Sequence, residues 1–508
     1  MLLLALFGAR SAVASKDSVP DWVRAAAQQT VPKYSPETNA VVLLDETTLT
    51  VSPDGKAVEH RRHVLKILRP AGRDDGYVSV QFDNDSKLLA MHVWSIGPDG
   101  HEYEVKDKEM AEVSPPGDYG RYYEAVKYRV ANPPGRDPGG IVAYETEQRL
   151  RSYMSEDDWW FQQGIPSLSQ SYTLELPPGF TYGVAWAHHK PVAATDLEGR
   201  RWRWDLKDIP AIDLHNVPMS PPAMALAGRM CVHFESPSMA NPIGGTWQSI
   251  GAWYTQLAKD RLAATPEIAA KTAELTAGKT DFYDRTEAVA EFAQKGIRYF
   301  VIEKGIGGYQ PHPAADIFKY RYGDCKDKAT LLSAMLSTIG LHSALVMVDS
   351  DRGFVDPDVP SLMGDHVIAA IEIPKGYDSP KLKSVVTAKT GNRYLIFDPT
   401  SEKTAFGQLE HQLQGGFGVL VEGSNSEIVA LPVLSPELNT IHRTASFQLQ
   451  PDGSLKGSIV EKRFGDVSEY RRTMYSSANL KEQQEFLDHQ LQRDFNSFTV
   501  SEIKVENV

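Results

Sequence analysis

Apolar and polar residues alternate along the first half of the chain in short runs that end at turn residues. From Ala40 to Thr50 the residues are largely β-branched and apolar, Asp54-Gly55 makes a turn, and Ala57 to Leu68 returns with the same alternation, which predicts a hairpin. Similar units are predicted at Leu88 to Ile96 before Pro98-Asp99-Gly100, at Ile141 to Leu150, at Gln170 to Leu176 before Pro177-Pro178-Gly179, and at Arg201 to Asp205. Short strands at this spacing, without long helical periods between them, predict an antiparallel β-sandwich over residues 35–235.

The period then changes. Pro237 to Gly245 is rich in Ser, Pro, Asn and Gly, as a domain boundary would be, and Thr246 to Arg261 and Arg285 to Gly296 repeat with the helical period. Arg298 to Val301 reads as a short strand before the loop Gly305 to Gly308. Ala329, Leu331, Leu332, Met335, Leu336 and Ile339 share one helical face, and Gly340 is a good stop, so a helix is expected to begin near Cys325. Gly364-Asp365-His366 is a turn running into the apolar strand Val367 to Ile371, and the strand Tyr394 to Phe397 ends in Asp398-Pro399-Thr400. A last unit opens near Pro432 to Pro436. There Thr444 to Leu449, the turn Pro451-Asp452-Gly453 and Leu455 to Phe464 predict a hairpin, followed by a polar helix over Leu480 to Asp494. Val500 to Val508 alternates like a strand and stops without a turn, so residues 436–508 are expected to form a C-terminal β-rich domain that is incomplete. The whole is an α+β, multidomain chain.

At 508 residues the chain exceeds what one hydrophobic core usually serves, consistent with about three domains. Its 53 basic and 66 acidic residues leave a net charge of −13, which disfavours nucleic acid or an anionic membrane surface as the general partner. Leu2 to Phe7 is a short apolar run, and Ala12-Val13-Ala14-Ser15 has the small-x-small form of a cleavage site, so residues 1–14 are expected to be a signal peptide and the mature protein periplasmic or secreted. No other apolar run is long enough to span a membrane. Two cysteines in an exported chain could form a disulfide, but Cys231 lies in an alternating segment, Arg229 to Glu235, that suits a buried small hydrophobe.

Cys325 stands in different surroundings, Gly323-Asp324-Cys325-Lys326-Asp327-Lys328, at the expected helix start. Asp324 can cap that helix. The free N–H groups and positive dipole end of its first turn, with Lys326 and Lys328 nearby, favour a thiolate over a thiol. An amide-cleaving thiol also needs a proton shuttle and a group to orient it. His366 at a strand start and Asp398 at a strand end supply those types in the order Cys, His, Asp.

These residues, with Tyr309-Gln310-Pro311, Arg321-Tyr322-Gly323 and Phe397-Asp398-Pro399-Thr400, resemble the core of the bacterial transglutaminase-like superfamily over residues 245–430. The upstream half resembles the β-rich domain of unknown function that often precedes that core in exported bacterial proteins. The resemblance implies a papain-like α+β core in which Cys325, His366 and Asp398 form a catalytic triad. It implies amide acyl transfer on a peptide or protein substrate, by hydrolysis or transamidation, with hydrolysis favoured for bacterial members. The alternative is a non-catalytic cell-envelope scaffold that keeps the fold and binds a partner through its β-rich domains.

Gln310 is a candidate oxyanion donor alongside the Cys325 backbone N–H, and Tyr309 a candidate for lining the acyl site. Asp365 is explained by its turn, and His342 by its place after the Gly340 stop. No metal site is expected, because His312 and the pair His188-His189 lack partners at ligand spacing and there is no Cys-x-x-Cys. Gly305-Ile306-Gly307-Gly308 lacks the Lys-Ser/Thr of a phosphate loop, and no cofactor is implied.

Overall fold

A computed structural model describes residues 19–114, 122–124, 126–214, 217, 220–239 and 241–507. The expected signal peptide lies outside the described residues. The chain divides into two compact units, one comprising Met1–Trp253 with Glu303–Gly308 and Asp358–Ser361, the other Tyr254–Ile302, Tyr309–Pro357 and Leu362–Val508. Among the described residues no helix is long and apolar enough to cross a membrane.

The first unit is built on an eight-stranded sheet in the order Thr195–Asp196, Arg201–Ile209, Ser167–Glu175, Ala40–Val51, Ala57–Ile67, Ile141–Arg149, Lys87–Ile96, Glu102–Val105. Every ladder in it is antiparallel except that between Ala40–Val51 and Ser167–Glu175, which is parallel. Those two strands are joined by no hairpin, so no turn in the sequence signals their direction. A second sheet, Glu156–Trp160, Arg229–Glu235 and Thr181–Ala187, contributes Trp159, Met230, Val232 and Phe234 to a core shared with Leu49, Tyr172, Leu174 and Trp204 of the large sheet. Side chains of alternate residues fill this space, and the aromatic rings of Trp159, Phe161 and Tyr172 meet edge-on or tilted within it. Elsewhere the large sheet buries Val41, Leu43, Val64 and Ala143 with Val23 and Ala26 of the helix Asp21–Ala27.

The second unit centres on a six-stranded antiparallel sheet ordered Val385–Thr387, Arg393–Phe397, His366–Ile373, Ser343–Val348, Phe417–Val421, Glu427–Ala430. The helix Cys325–Ser337 packs on the strands His366–Ile373 and Ser343–Val348, and the helices Phe282–Lys295, Ala314–Tyr320 and Pro266–Thr276 pack on it in turn. Covered on several sides, it is buried from Cys325 through Leu336. The helix Pro266–Thr276 was not anticipated, although Thr265 at its N-cap and Pro266 at its first position are a readable start signal.

In the C-terminal segment Thr440–Leu449 and Leu455–Phe464 pair as the expected hairpin and Leu480–Leu491 is the expected polar helix, but a further helix, Asp466–Ser477, lies between them and residues 500–507 form no strand. Alternation alone makes no strand where no neighbour offers a ladder.

Candidate active site

The capping box at the start of the Cys325 helix explains why the helix begins there. Asp324 has extended backbone and accepts from the Asp327 N–H at 3.3 Å, while the Asp327 carboxylate accepts from the Asp324 N–H at 3.2 Å. Asp327 also accepts the backbone N–H of His312 at 2.7 Å and lies 3.0 Å from His312 Nδ1, which ties the segment after Tyr309-Gln310-Pro311 to the helix start. That contact, chiefly its hydrogen bond, holds the His312 imidazole above its ordinary pKa. Cys325 therefore occupies the first helical position, where the backbone N–H groups have no acceptor within the helix.

Lys326 and Lys328, expected to add positive charge near Cys325, do not face solvent. Both are fully buried. Lys326 Nζ pairs with Asp324 Oδ2 at 2.5 Å, and although burial works against the ammonium, Asp324 and then Cys325 outweigh it and hold it above the usual lysine value. Lys328 Nζ donates to the carbonyls of Gln294 and Ile297, at 2.8 and 3.0 Å, at the C-terminal end of the helix Phe282–Lys295. Burial brings its pKa down to about 8.

His366 opens its strand opposite Val348, and the next ladder pairs Ala369 with Phe397. Continuing that antiparallel register places Asp398 across from Ile368, on the face that His366 shares. The imidazole Nε2 meets Asp398 Oδ2 at 2.7 Å. Asp398 Oδ1 accepts the Thr400 N–H at 2.8 Å and the Thr400 hydroxyl at 2.7 Å. Cys325 also lies close enough to the His366 ring to act on its ionisation, after Asp398. Burial alone would discharge the imidazole. The charge and hydrogen bond of Asp398, then Cys325, reverse this and raise His366 well above its ordinary value. The Asp398 carboxyl is likewise opposed by burial but lowered by His366 and by Thr400.

Gln310 is half-buried, and its side-chain Nε2 donates to the Leu257 carbonyl at 2.9 Å, so one of its two amide protons serves the loop. Tyr309 is half-buried. Two further residues belong to the site's surroundings and were not anticipated. Tyr254 is buried close enough to Cys325, Asp324 and Asp327 that, after burial itself, their charges keep its phenol protonated well above pH 10. Glu410 is buried near Asp398, accepting from Gln412 Nε2 at 2.8 Å, and burial followed by the Asp398 charge brings it up to about 7. Neither carries a local motif, since both reach the site from distant parts of the chain. Both cysteines are free.

A helix-borne cysteine facing a histidine and an aspartate on adjacent strands of an antiparallel sheet is the layout of a papain-like α+β domain. Residues 269–399 match the transglutaminase-like superfamily, and residues 53–213 match the Domain of Unknown Function with solved-structure structure, DUF3857. The chain thus carries a DUF3857 domain followed by a transglutaminase-like domain. Among solved structures, a candidate protease from Parabacteroides distasonis shares the fold, with a TM-score of 0.55 and 16% identity over 70% of this chain and 72% of its own. A candidate cysteine protease from Cytophaga hutchinsonii aligns over 80% of this chain and 86% of its own at 9% identity, with a TM-score of 0.20. No curated protein matches the chain.

Proposed function

We propose that the chain is an exported, thiol-dependent acyl-transfer enzyme acting on amide bonds of peptides or proteins. The observation that carries this reading is the His366 imidazole, 2.7 Å from Asp398 on a neighbouring strand and raised well above its ordinary pKa by Asp398 and then Cys325. In that arrangement the sulfur of Cys325 attacks the amide carbonyl. The oxyanion that forms is met by the Cys325 backbone N–H at the helix start. Collapse breaks the C–N bond, the departing amine takes its proton from His366, and a thioester remains on Cys325. Water or a second amine, giving up a proton to His366, then attacks the thioester and frees the thiol. Asp398 keeps one ring tautomer and stabilises the imidazolium throughout. The choice between hydrolysis and transamidation depends on how far the acyl site excludes water. The export element of the proposal rests on the apolar leader and its small-residue cleavage pattern.

The test is the pH profile of iodoacetamide labelling at Cys325, followed by peptide mass spectrometry, in the unaltered protein and in His366→Ala. Fast labelling well below the free-thiol value of about 8.5, slowed by the His366 change, is expected of a thiolate–imidazolium pair. Slow labelling with ordinary thiol titration in both proteins would leave the non-catalytic envelope scaffold as the better account.

A further inference from the structure

The second cysteine sits in a polar cluster inside the β-rich unit. Glu156–Trp160 and Arg229–Glu235 run antiparallel with Glu156 opposite His233 and Asp158 opposite Cys231, so four potential ligands share one face in two adjacent cross-strand pairs. Glu156, Cys231 and His233 are all buried, and one donor atom from each lies within 4.8 Å of the other two.

The histidine shows which atoms face the cluster. Its Nε2 lies 2.7 Å from the Pro360 carbonyl, which can only accept, so Nε2 carries the proton and Nδ1 keeps its lone pair in the neutral ring. That Nδ1 is buried without a hydrogen-bond partner among the described residues, on a side chain only 7% exposed, and stands 3.5 Å from Glu156 Oε2. A lone pair and a carboxylate oxygen do not approach in a dry interior unless something electropositive joins them. A histidine whose far N–H is fixed by a backbone carbonyl is also how metal-ligating imidazoles are usually oriented. The Cys231 sulfur is 3.4 Å from Nε2, at the other edge of the same ring. Tetrahedral zinc, with Zn–S near 2.3 Å and Zn–N or Zn–O near 2.0 Å, separates its donor atoms by roughly 3.3–3.6 Å, so Nδ1 and Glu156 Oε2 already stand at that spacing and a rotation of the Cys231 side chain toward Nδ1 would complete the set.

We propose that Glu156, Cys231 and His233 form a structural site for a borderline-soft divalent cation of the zinc type. Thiolate, imidazole and carboxylate together suit zinc rather than calcium or magnesium. The charges close as well. On loading, Cys231 releases its thiol proton to solvent and a sulfur–metal bond forms, so the thiolate and Glu156 together neutralise the dication. Asp158 is already matched by Arg229 at 2.5 Å. The competing account is a proton in place of the metal, with His233 as an imidazolium between Pro360 and Glu156.

The experiment uses the full chain carrying Cys325→Ser, so that the other thiol cannot bind metal, stripped with a chelator and titrated with Zn²⁺ or Co²⁺. One ion retained per chain after desalting, a sulfur-to-cobalt charge-transfer band, and a higher melting temperature with Zn²⁺ are expected. Cys231→Ser and His233→Gln, each checked for folding by circular dichroism, should lose the retained ion and the band. If either variant fails to fold, the melting temperature of the Cys325→Ser chain with and without chelator decides, since a loaded structural site must lose stability when stripped. No retained ion and no effect of chelator on melting, or retention unchanged in folded Cys231→Ser, would overturn the proposal in favour of the protonated cluster.

Discussion

His366 Nε2 and Asp398 Oδ2 are 2.7 Å apart although the two residues are 32 positions apart in the chain, and Asp398 is itself held by two bonds from Thr400. The carboxylate is thus fixed before the imidazole meets it. Replacing Asp398 by Asn keeps the shape and removes the charge that sustains the imidazolium. A charge-assisted hydrogen bond is worth about 1.5–3 kcal/mol, so labelling of Cys325 at mildly acidic pH should slow by about tenfold or more in Asp398→Asn. The upper inflection of the labelling profile, set by loss of the imidazolium proton, should move to lower pH. An unchanged profile would remove Asp398 from the proposed machinery.

Lys326 and Asp324 form a buried ion pair at 2.5 Å beside Cys325. Lys326→Met should cost about 3–5 kcal/mol in urea denaturation, because it leaves the Asp324 carboxylate buried without its counter-ion. The double change Lys326→Met with Asp324→Asn should recover much of that loss, since no charge then remains buried. Equal losses in the single and double variants would show that the pair matters through packing alone.

Gly323 precedes the capping box, and a Cβ there would lie 2.6 Å from the Asp327 Cβ. Gly323→Ala should therefore displace Asp327, loosen its bonds to Asp324 and His312, and cost about 1–3 kcal/mol by overpacking. Thermal melts measure the cost. Cys325 labelling in the same variant measures how far the helix start has moved.

Glu410 is raised to about 7 by burial and by Asp398. A carboxyl raised in the folded state keeps its proton after the unfolded chain has released it. Its contribution to stability therefore falls as pH rises from about 4.3 to about 7, by an amount on the order of 3 kcal/mol, and stays low above that range. Glu410→Gln should remove this slope, so its stability relative to the unaltered chain should improve between pH 4.5 and 7. Urea titrations across that interval test it. A difference that does not change with pH would mean that Glu410 titrates alike in both states.

Much of the second unit was legible because its signals are local. The apolar period from Ala329 to Ile339, the capping residues around Cys325, and the strand patterns beginning at His366 and ending at Phe397 each act within a turn or a few residues. The first unit's hairpins were legible for the same reason, since Asp54-Gly55 specifies both a turn and the pairing of its flanks. The polar helix Asp466–Ser477 was not anticipated, and neither was the parallel pairing of Ala40–Val51 with Ser167–Glu175. The first has only a weak apolar stripe, and the second joins strands far apart in the chain.

The sequence by itself determined the elements, their turns and caps, and the types of residue available for chemistry, because these follow from backbone preference and periodicity over short distances. Only the tertiary structure decided which of those residues meet. Lys326 and Lys328 read as positive charges near Cys325, and only packing on several sides of their helix shows that they are buried. Tyr254 and Glu410 acquire their shifted ionisation only where the fold carries them to Cys325 and Asp398. Cys231 read as a buried small hydrophobe until the ladder set Glu156 opposite His233, whose Nε2 meets the Pro360 carbonyl. Desolvation and charge proximity depend on separation in space, which the order of residues along the chain does not contain.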